Sequence, residues 1–495
     1  MNNETDSYVE GLPRAQTFLL PKTIEEYVEP DNPIRFIDAY VNTLDMEKLG
    51  FTHSTPKDFG RPSYNPKDLT KLYLYGGLNH IRSSRKLERE CKTNLECMWL
   101  LRGLAPDFKT IADFRKDNPS AIGALFKEFV AFLKNLSLYG AKQVSVDGTK
   151  LLAVNSSYKA FTQKALAKRI KLMEKSVTHY LQELDDADQQ EASDEQQASS
   201  EVSEAAKAVA VDKLAGLLEK KEAYEAILDK MQKSGQKEVA LTDPECRQMM
   251  NHGRVESCYN MQAAVDSKNH LIVNYTVTNE ASDLNQLSSM AISAKETLGV
   301  DQIDCISDKG YFDFMQIKHC VDNGVTPYVA VKRSGTGGSL MSAEFTADKF
   351  CYNKNADVYV CPAGERLYFY CSTRRYGMDR RLYKCDRRVC SICRFFMTKC
   401  TKNKEGRIIW RWVHEDVVDD MRKRMKSHRE VMDERKKVVE HTFGTVKRAF
   451  GAPYLLLKGL RKVSGEVGLL LTAYNLRRAV NILGVDALMQ ALVEV

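Results

Sequence analysis

The chain has 495 residues, 43% hydrophobic and 28% charged, with a formal net charge of +7. That length suits about three domains, and the composition is that of a soluble globular protein rather than a fibrous or disordered one. The opening MNNETDSYVEGLPRAQ has no basic n-region and no apolar h-region, so no secretory signal is expected. Apolar runs such as VGLLLTAYNL fall short of the roughly 18 residues that span a bilayer, which argues against a membrane partner and for the cytoplasm. In that compartment thirteen cysteines do not read as a disulfide framework. Charge is also segregated. Arg422–Arg448 carries ten Lys/Arg against four Asp/Glu, and Glu183–Glu201 carries eight acids and no base. A basic block in a folded region suits a polyanion partner, although most single charges on such a block are solvated surface.

Residues 1–52 read as an N-terminal extension with a short helix over Ile34–Leu44. Residues 53–135 read as a helical domain. Leu69, Leu72, Tyr73, Leu78 and Ile81 recur at helical spacing, Pro66 and Asp68 suit a first turn, and Ser83 or Ser84 suits a cap for a helix carrying Arg85, Lys86 and Arg89. A third helix enters at Asp107. Three short basic helices form a helix-turn-helix-like module that would place Lys109, Arg115 and Lys116 against phosphates; the plainer alternative is a helical bundle with basic solvent faces.

KQVSVDGTKLLAV alternates and predicts a strand. Residues 161–240 change character: two amphipathic helices flank an acidic linker, an antiparallel hairpin inserted into a β pattern that resumes afterwards. SCYNMQAAVDSKNHLIVNYTVTN predicts a strand hairpin turning at DSKN. A helix over Asp283–Leu298, a strand at IDCIS, a helix over Phe312–Asn323 and a strand at TPYVAVKR follow. This order predicts an α/β fold, a mixed sheet with helices on its faces. Residues 334–421 lose the helical pattern and read as a second, β-rich insertion. The core is therefore assembled from residues 140–160, 241–333 and 422–485.

Two acids sit at strand ends, Asp147 in SVDGT and Asp308 in ISDKGYF. Either alone reads more readily as a cap or turn former. Together they place two carboxylates where α/β sheets bind ligands. A third acid, Glu440, stands in the basic helix RKKVVEHTFGTVKRAF. Val439, Phe443, Val446 and Phe450 form one apolar stripe of that helix, and Glu440 lies about 100° from Val439, at the stripe's border. Lys436 and Lys447, four before and seven after, flank it. The bland alternative is a surface ion pair worth about 0.3–0.5 kcal/mol. Three converging carboxylates need cations, and an all-oxygen donor set suits two Mg²⁺ ions, or Mn²⁺ in their place. Such a pair clamps the attacking and leaving oxygens of a phosphodiester displacement.

VDGTKL, SDKGYF and VVEHTFGTVKR resemble the three acidic motifs of the DDE insertion-sequence transposases, in the branch with a Tyr–Arg–Glu–Lys third motif. Asp308, Gly310 and Tyr311 match the second motif, and Glu440 with Lys447 keeps the spacing of the third. GRPSYNP, SSRKLE and TIADFR resemble the N-terminal domain of those enzymes, so the likeness covers about residues 30–480. It departs where the family has a tyrosine, which is Met432 or Asp433 here, with the following arginine at Arg435 or Lys436. The resemblance implies a ribonuclease H-like core with Asp147, Asp308 and Glu440 as catalytic metal ligands and Arg435, Lys436, Lys447 and Arg448 on DNA phosphates. It implies cleavage at the terminal inverted repeats, joining of 3′ ends to target double-stranded DNA, and a homodimer on DNA at the bacterial nucleoid. A domesticated DNA-binding protein, or a metal-dependent nuclease without strand transfer, are the rival readings on the same scaffold.

Two other acids compete. Asp266 in VDSKNH reads as a turn residue, and Asp283 in EASDLNQL as a helix N-cap. Seven cysteines fall between Cys351 and Cys400, including a Cys390-x2-Cys393 pair. Cys361, Cys390, Cys393 and Cys400 are candidate ligands of a structural Zn²⁺, with Cys371 and Cys385 as alternates and plain buried thiols as the rival reading.

Overall fold

The computed structural model describes residues 23–55, 62–156, 159–193, 200–235, 237–331, 342–375, 377–428, 430–449 and 454–493. The chain divides into two compact units, one formed by the chain up to Leu125 together with Leu469 onward, the other by Phe126–Gly468. The first unit is helical: α1 (Pro33–Thr43), α2 (Pro66–Leu78), α3 (Ser84–Thr93), α4 (Leu95–Leu100), α5 (Phe108–Asp117) and the start of α6 (Pro119–Asn135). Asn-Pro pairs start two of these helices in the same way. Asn32 Oδ1 accepts from the Ile34 amide at 3.0 Å and Asn65 Oδ1 from the Lys67 amide at 2.9 Å, while Pro33 and Pro66 occupy first-turn positions that need no amide hydrogen. Asp107 caps α5 through the Lys109 and Thr110 amides. Ile37, Leu72, Leu87 and Ile111 are fully buried between the helices. Three short helices are predicted over residues 66–118 and four are found, because Asn94 caps α4 as a separate element by accepting from the Cys97 amide.

The second unit is built on β1 (Gln143–Leu152). An excursion follows: β2 (Ala160–Thr162), α7 (Gln163–Ser193), α8 (Ser200–Ser234) and β3 (Glu238–Ala240). Leu166 and Ile170 pack with Met231, and Glu174 pairs with Lys221 at 3.4 Å, so the two long helices run antiparallel. The acidic tract was expected to be linker; up to Ser193 it is helix. Then come β4 (Arg247–Asn251), β5 (Arg254–Asp266), β6 (Ile272–Thr278), α9 (Leu287–Leu298), β7 (Ile303–Ser307), α10 (Phe314–Asp322) and β8 (Val325–Val329). The sheet order is β4-β5-β1-β7-β8, with β6 also on β5. β1 runs antiparallel to β5 and parallel to β7, which is parallel to β8.

A second, all-antiparallel sheet follows in the order β13-β12-β11-β10-β9, from β9 (Cys351–Asn353), β10 (Val358–Val360), β11 (Arg366–Arg375), β12 (Met378–Cys385) and β13 (Ile408–Trp412), with α11 (Arg387–Ser391) between the last two. α12 (Glu415–Ser427), α13 (Val431–Gly444) and α14 (Leu460–Val493, broken at Gly484) close the chain. Among the described residues no helix is long and apolar enough to cross a membrane.

Asp266, one of the rival acids, ends β5 with its carboxylate fully buried. It accepts from the amides of Gly140 and Ala141, both at 3.0 Å, and of Lys268 at 2.9 Å. It ties the start of β1 to the β5–β6 turn. Asp266→Ala strands three amide donors and should cost about 2–3 kcal/mol of unfolding free energy in urea titration.

Candidate active site

Parallel pairing of β1 with β7 sets the site. Ser145 pairs with Ile306, so Asp147 and Asp308, each two residues further on, come level at neighbouring positions. Asp147 Oδ1 accepts from the Gly148 amide at 2.8 Å, and Asp308 Oδ1 from the Gly310 amide at 2.7 Å. A Cβ on Gly310 would stand 2.8 Å from Asp308 Oδ1, so the close approach needs glycine. Both carboxylates are half-buried. Burial pushes the Asp147 carboxyl up to about 6; its neighbours Asp308 and Asp283 push the same way, and Arg435 with the Gly148 amide opposes them.

Asp283 therefore belongs to this site. Its expected N-cap role passes to Gln286, because α9 begins at Leu287. Asp283 Oδ1 instead accepts from Asn260 Nδ2 and Gln262 Nε2, each at 2.7 Å, and from Lys150 Nζ at 3.2 Å. Gln262 Nε2 also donates to Asn260 Oδ1 at 2.9 Å, and its Oε1 accepts from the Tyr311 hydroxyl. Burial and then the carboxylates of Asp147, Asp283 and Asp308 raise the Tyr311 phenol far above its ordinary range. Gly148 faces Gln262 across the β1–β5 ladder, and a Cβ there would meet Gln262 Nε2 at 2.2 Å. The sequence held a signal for this network: Asn260 and Gln262 share one face of a strand whose neighbouring residues Tyr259, Met261, Ala263, Ala264 and Val265 are buried, and buried amides need partners.

α13 packs on β1, β5 and β7. Val438, Val439, Thr442 and Phe443 are its buried face, continued by Val446 in the π-helical turn Thr445–Ala449, and Arg435 lies three and four residues before Val438 and Val439. Arg435 Nη1 donates to Asp147 Oδ2 at 2.9 Å. Glu440 lies on an exposed face and has no hydrogen bond or ion pair among the described residues. The structure thus joins Asp147, Asp308, Asp283 and Arg435, and does not bring Glu440 into hydrogen-bonding contact with them. Phe450 and the Arg448 side chain lie outside the described residues.

The expected phosphate-binding cations divide into groups. Lys436 is exposed, 4.0 Å from Asp433. Lys447 is half-buried; burial lowers its ammonium pKa and nearby Lys150 adds to the shift, with Cys258 opposing. Lys109 is exposed, and Lys116 pairs with Asp113 at 2.8 Å. Arg115 differs from these: it is buried, its guanidinium lies over the Tyr73 ring, and Nη1 donates to the Arg82 carbonyl at 3.4 Å. Its place follows from helical spacing, since Ile111 and Phe114 make its face of α5 the inner one.

A transposase-domain family model (DUF772) matches residues 22–117, and a transposase DDE-domain model matches residues 360–480. The two matches support a DDE insertion-sequence transposase. The DDE match of this transposase contains Glu440 and Lys447, while Asp147, Asp283 and Asp308 precede it. No match is found among curated proteins, and none among solved structures.

A raised Asp147 pKa has a defined sign. Between about pH 4 and 6 the folded chain keeps a proton that the unfolded chain has lost, so Asp147 lowers stability as pH rises through that window. With its side chain 22% exposed, the discounted effect is about 1–2 kcal/mol. Urea titrations across pH 4–7 should show the wild-type curve falling relative to that of Asp147→Asn. A second expectation concerns packing: Gly148→Ala should lose about 1–3 kcal/mol by driving Gln262 off Asp283, read by the same titration at pH 7.

Proposed function

We propose that this transposase binds the terminal inverted repeats of its insertion sequence, hydrolyses the phosphodiester at each end and joins the freed 3′ ends to target DNA. The observation that supports it best is the level pairing of Asp147 and Asp308 on adjacent parallel strands. Asp308 Oδ2 and Asp283 Oδ2 keep lone pairs with no hydrogen-bond donor among the described residues, and a donor set of carboxylate oxygens fits a hard divalent ion. As arranged, no group of three or more His, Cys, Asp or Glu among the described residues closes into a metal cage. Asp147 and Asp308 would hold Mg²⁺, or Mn²⁺, with Glu440 as the third ligand that the motif implies. Two such ions would activate the attacking hydroxyl and stabilise the leaving oxygen.

The chain's own groups have separable tasks. Arg435 neutralises Asp147; Lys150 and Lys447 supply positive charge beside the acids, where a scissile phosphate needs it. The strand order β6-β5-β1-β7-β8, with only β5 antiparallel to β1, supports reading this sheet as a ribonuclease H-like core. The helices of residues 53–135 would bind DNA, with exposed Lys109 and Lys116 on phosphates, and joining two ends would need two copies of the chain.

An end-cleavage and joining assay in Mg²⁺ tests the reading. Asp308→Asn should cut transposon-end duplex roughly 10²–10³-fold more slowly while binding it as the parent does. Equal cutting by the variant would refute the site, and cutting by the parent without joining would make the protein a nuclease.

A further inference from the structure

The second sheet packs Phe345, Phe350, Tyr359, Leu367, Tyr383 and Ile409 into a core of its own. Beside that core lies a cavity of about 20 Å³, lined by Cys361, Cys385, Cys390, Cys393 and Cys400 together with Arg407. That volume holds one water-sized sphere, or one metal ion. Three separate chain segments deliver the sulfurs. Cys361 opens the turn Cys361-Pro362-Ala363-Gly364, in which the Gly364 amide donates to the Cys361 carbonyl at 2.9 Å and the Glu365 amide donates to Cys361 Sγ at 3.3 Å. Cys390 lies in the last turn of α11 and Cys393 just beyond it, with the Cys393 amide on the Cys390 carbonyl at 3.0 Å. Cys400 follows on a turn whose amide reaches the Phe395 carbonyl at 2.9 Å, and it lies within electrostatic reach of Cys361, Cys390 and Cys393.

Thiols that serve only as small apolar side chains do not need to converge from three segments on one point, and no disulfide joins them here. A sheet of this size rarely holds itself together on its apolar core alone and gains from a metal staple. Arg407 offsets the negative charge that four thiolates leave on a divalent ion: its guanidinium stands at the cavity, donating to the Cys400 carbonyl at 3.3 Å and the Phe345 carbonyl at 3.1 Å. Cys385 is the most buried of these cysteines, on β12. Cys371 does not line the cavity. As arranged, the sulfurs surround the cavity without closing on one centre.

We propose that Cys361, Cys390, Cys393 and Cys400 bind one Zn²⁺ as a tetrahedral thiolate site that staples this sheet. The site is independent of the carboxylate cluster and of any reaction there. The test is elemental analysis of the full-length chain, purified without chelator and dialysed, together with Co²⁺ substitution. About one zinc per chain is expected, and the cobalt form should show the intense d–d bands of a tetrahedral thiolate site. Cys390→Ser/Cys393→Ser should lose the zinc, while Cys351→Ser, at an exposed cysteine away from the cavity, and Asp308→Asn should keep it. Should the double variant fail to fold, the wild-type cobalt spectrum decides alone. Less than about a tenth of an equivalent of zinc after refolding with excess Zn²⁺, an octahedral cobalt spectrum, or zinc retained by the double variant would overturn the proposal.

Discussion

Asp147 and Asp308 stand level on neighbouring parallel strands, and two like charges in a half-buried place repel unless cations answer them. Much of the second unit serves that constraint. Arg435 crosses from α13 to pair with Asp147, although the two are 288 residues apart in the chain. The apolar face of α13, from Val431 to Phe443, is what carries the guanidinium there. The basic character of this helix and the acids of the sheet are thus parts of one electrostatic arrangement.

The third carboxylate shows how backbone and polar network cooperate. Gly148 leaves room for the Gln262 side chain, Gln262 joins Tyr311 to Asp283, and Asn260 with Lys150 completes the set on Asp283 Oδ1. All the protein donors fall on one oxygen, and the other is left on the side of Gly310 and Asp308, 3.8 Å from where a Gly310 Cβ would be. A buried network satisfied in this way is rigid, and rigidity is what the proposed phosphodiester chemistry requires.

Much of this was legible in the sequence, for identifiable reasons. The β1 strand, the β5–β6 hairpin, the antiparallel α7–α8 pair and the strand–helix alternation through β8 all carry strong periodicity, and the structure follows them. Asp147 and Asp308 stood out because each ends an apolar strand with a glycine one or two positions on. Periodicity is silent about which polar side chains turn inward. Arg115 and Arg435 read as surface cations because their charge outweighs their helical position, yet both lie on inner faces. Asp283 read as a cap because a helix follows it closely; the helix starts four residues later and frees the carboxylate. The acidic tract read as linker from its charge, but it contains no proline or glycine to stop α7.

Glu440 is where sequence motif and geometry differ most, since the motif groups it with the two aspartates and the fold leaves it exposed on α13. Iron-directed cleavage of the polypeptide tests the proposed metal site most directly. Fe²⁺ put in place of Mg²⁺ with transposon-end DNA, then given ascorbate and peroxide, breaks the backbone beside its ligands. The account predicts breaks next to Asp147, Asp308 and Glu440, all lost in Asp308→Asn. Intact chain at Asp147 and Asp308, with breaks only elsewhere, would contradict it.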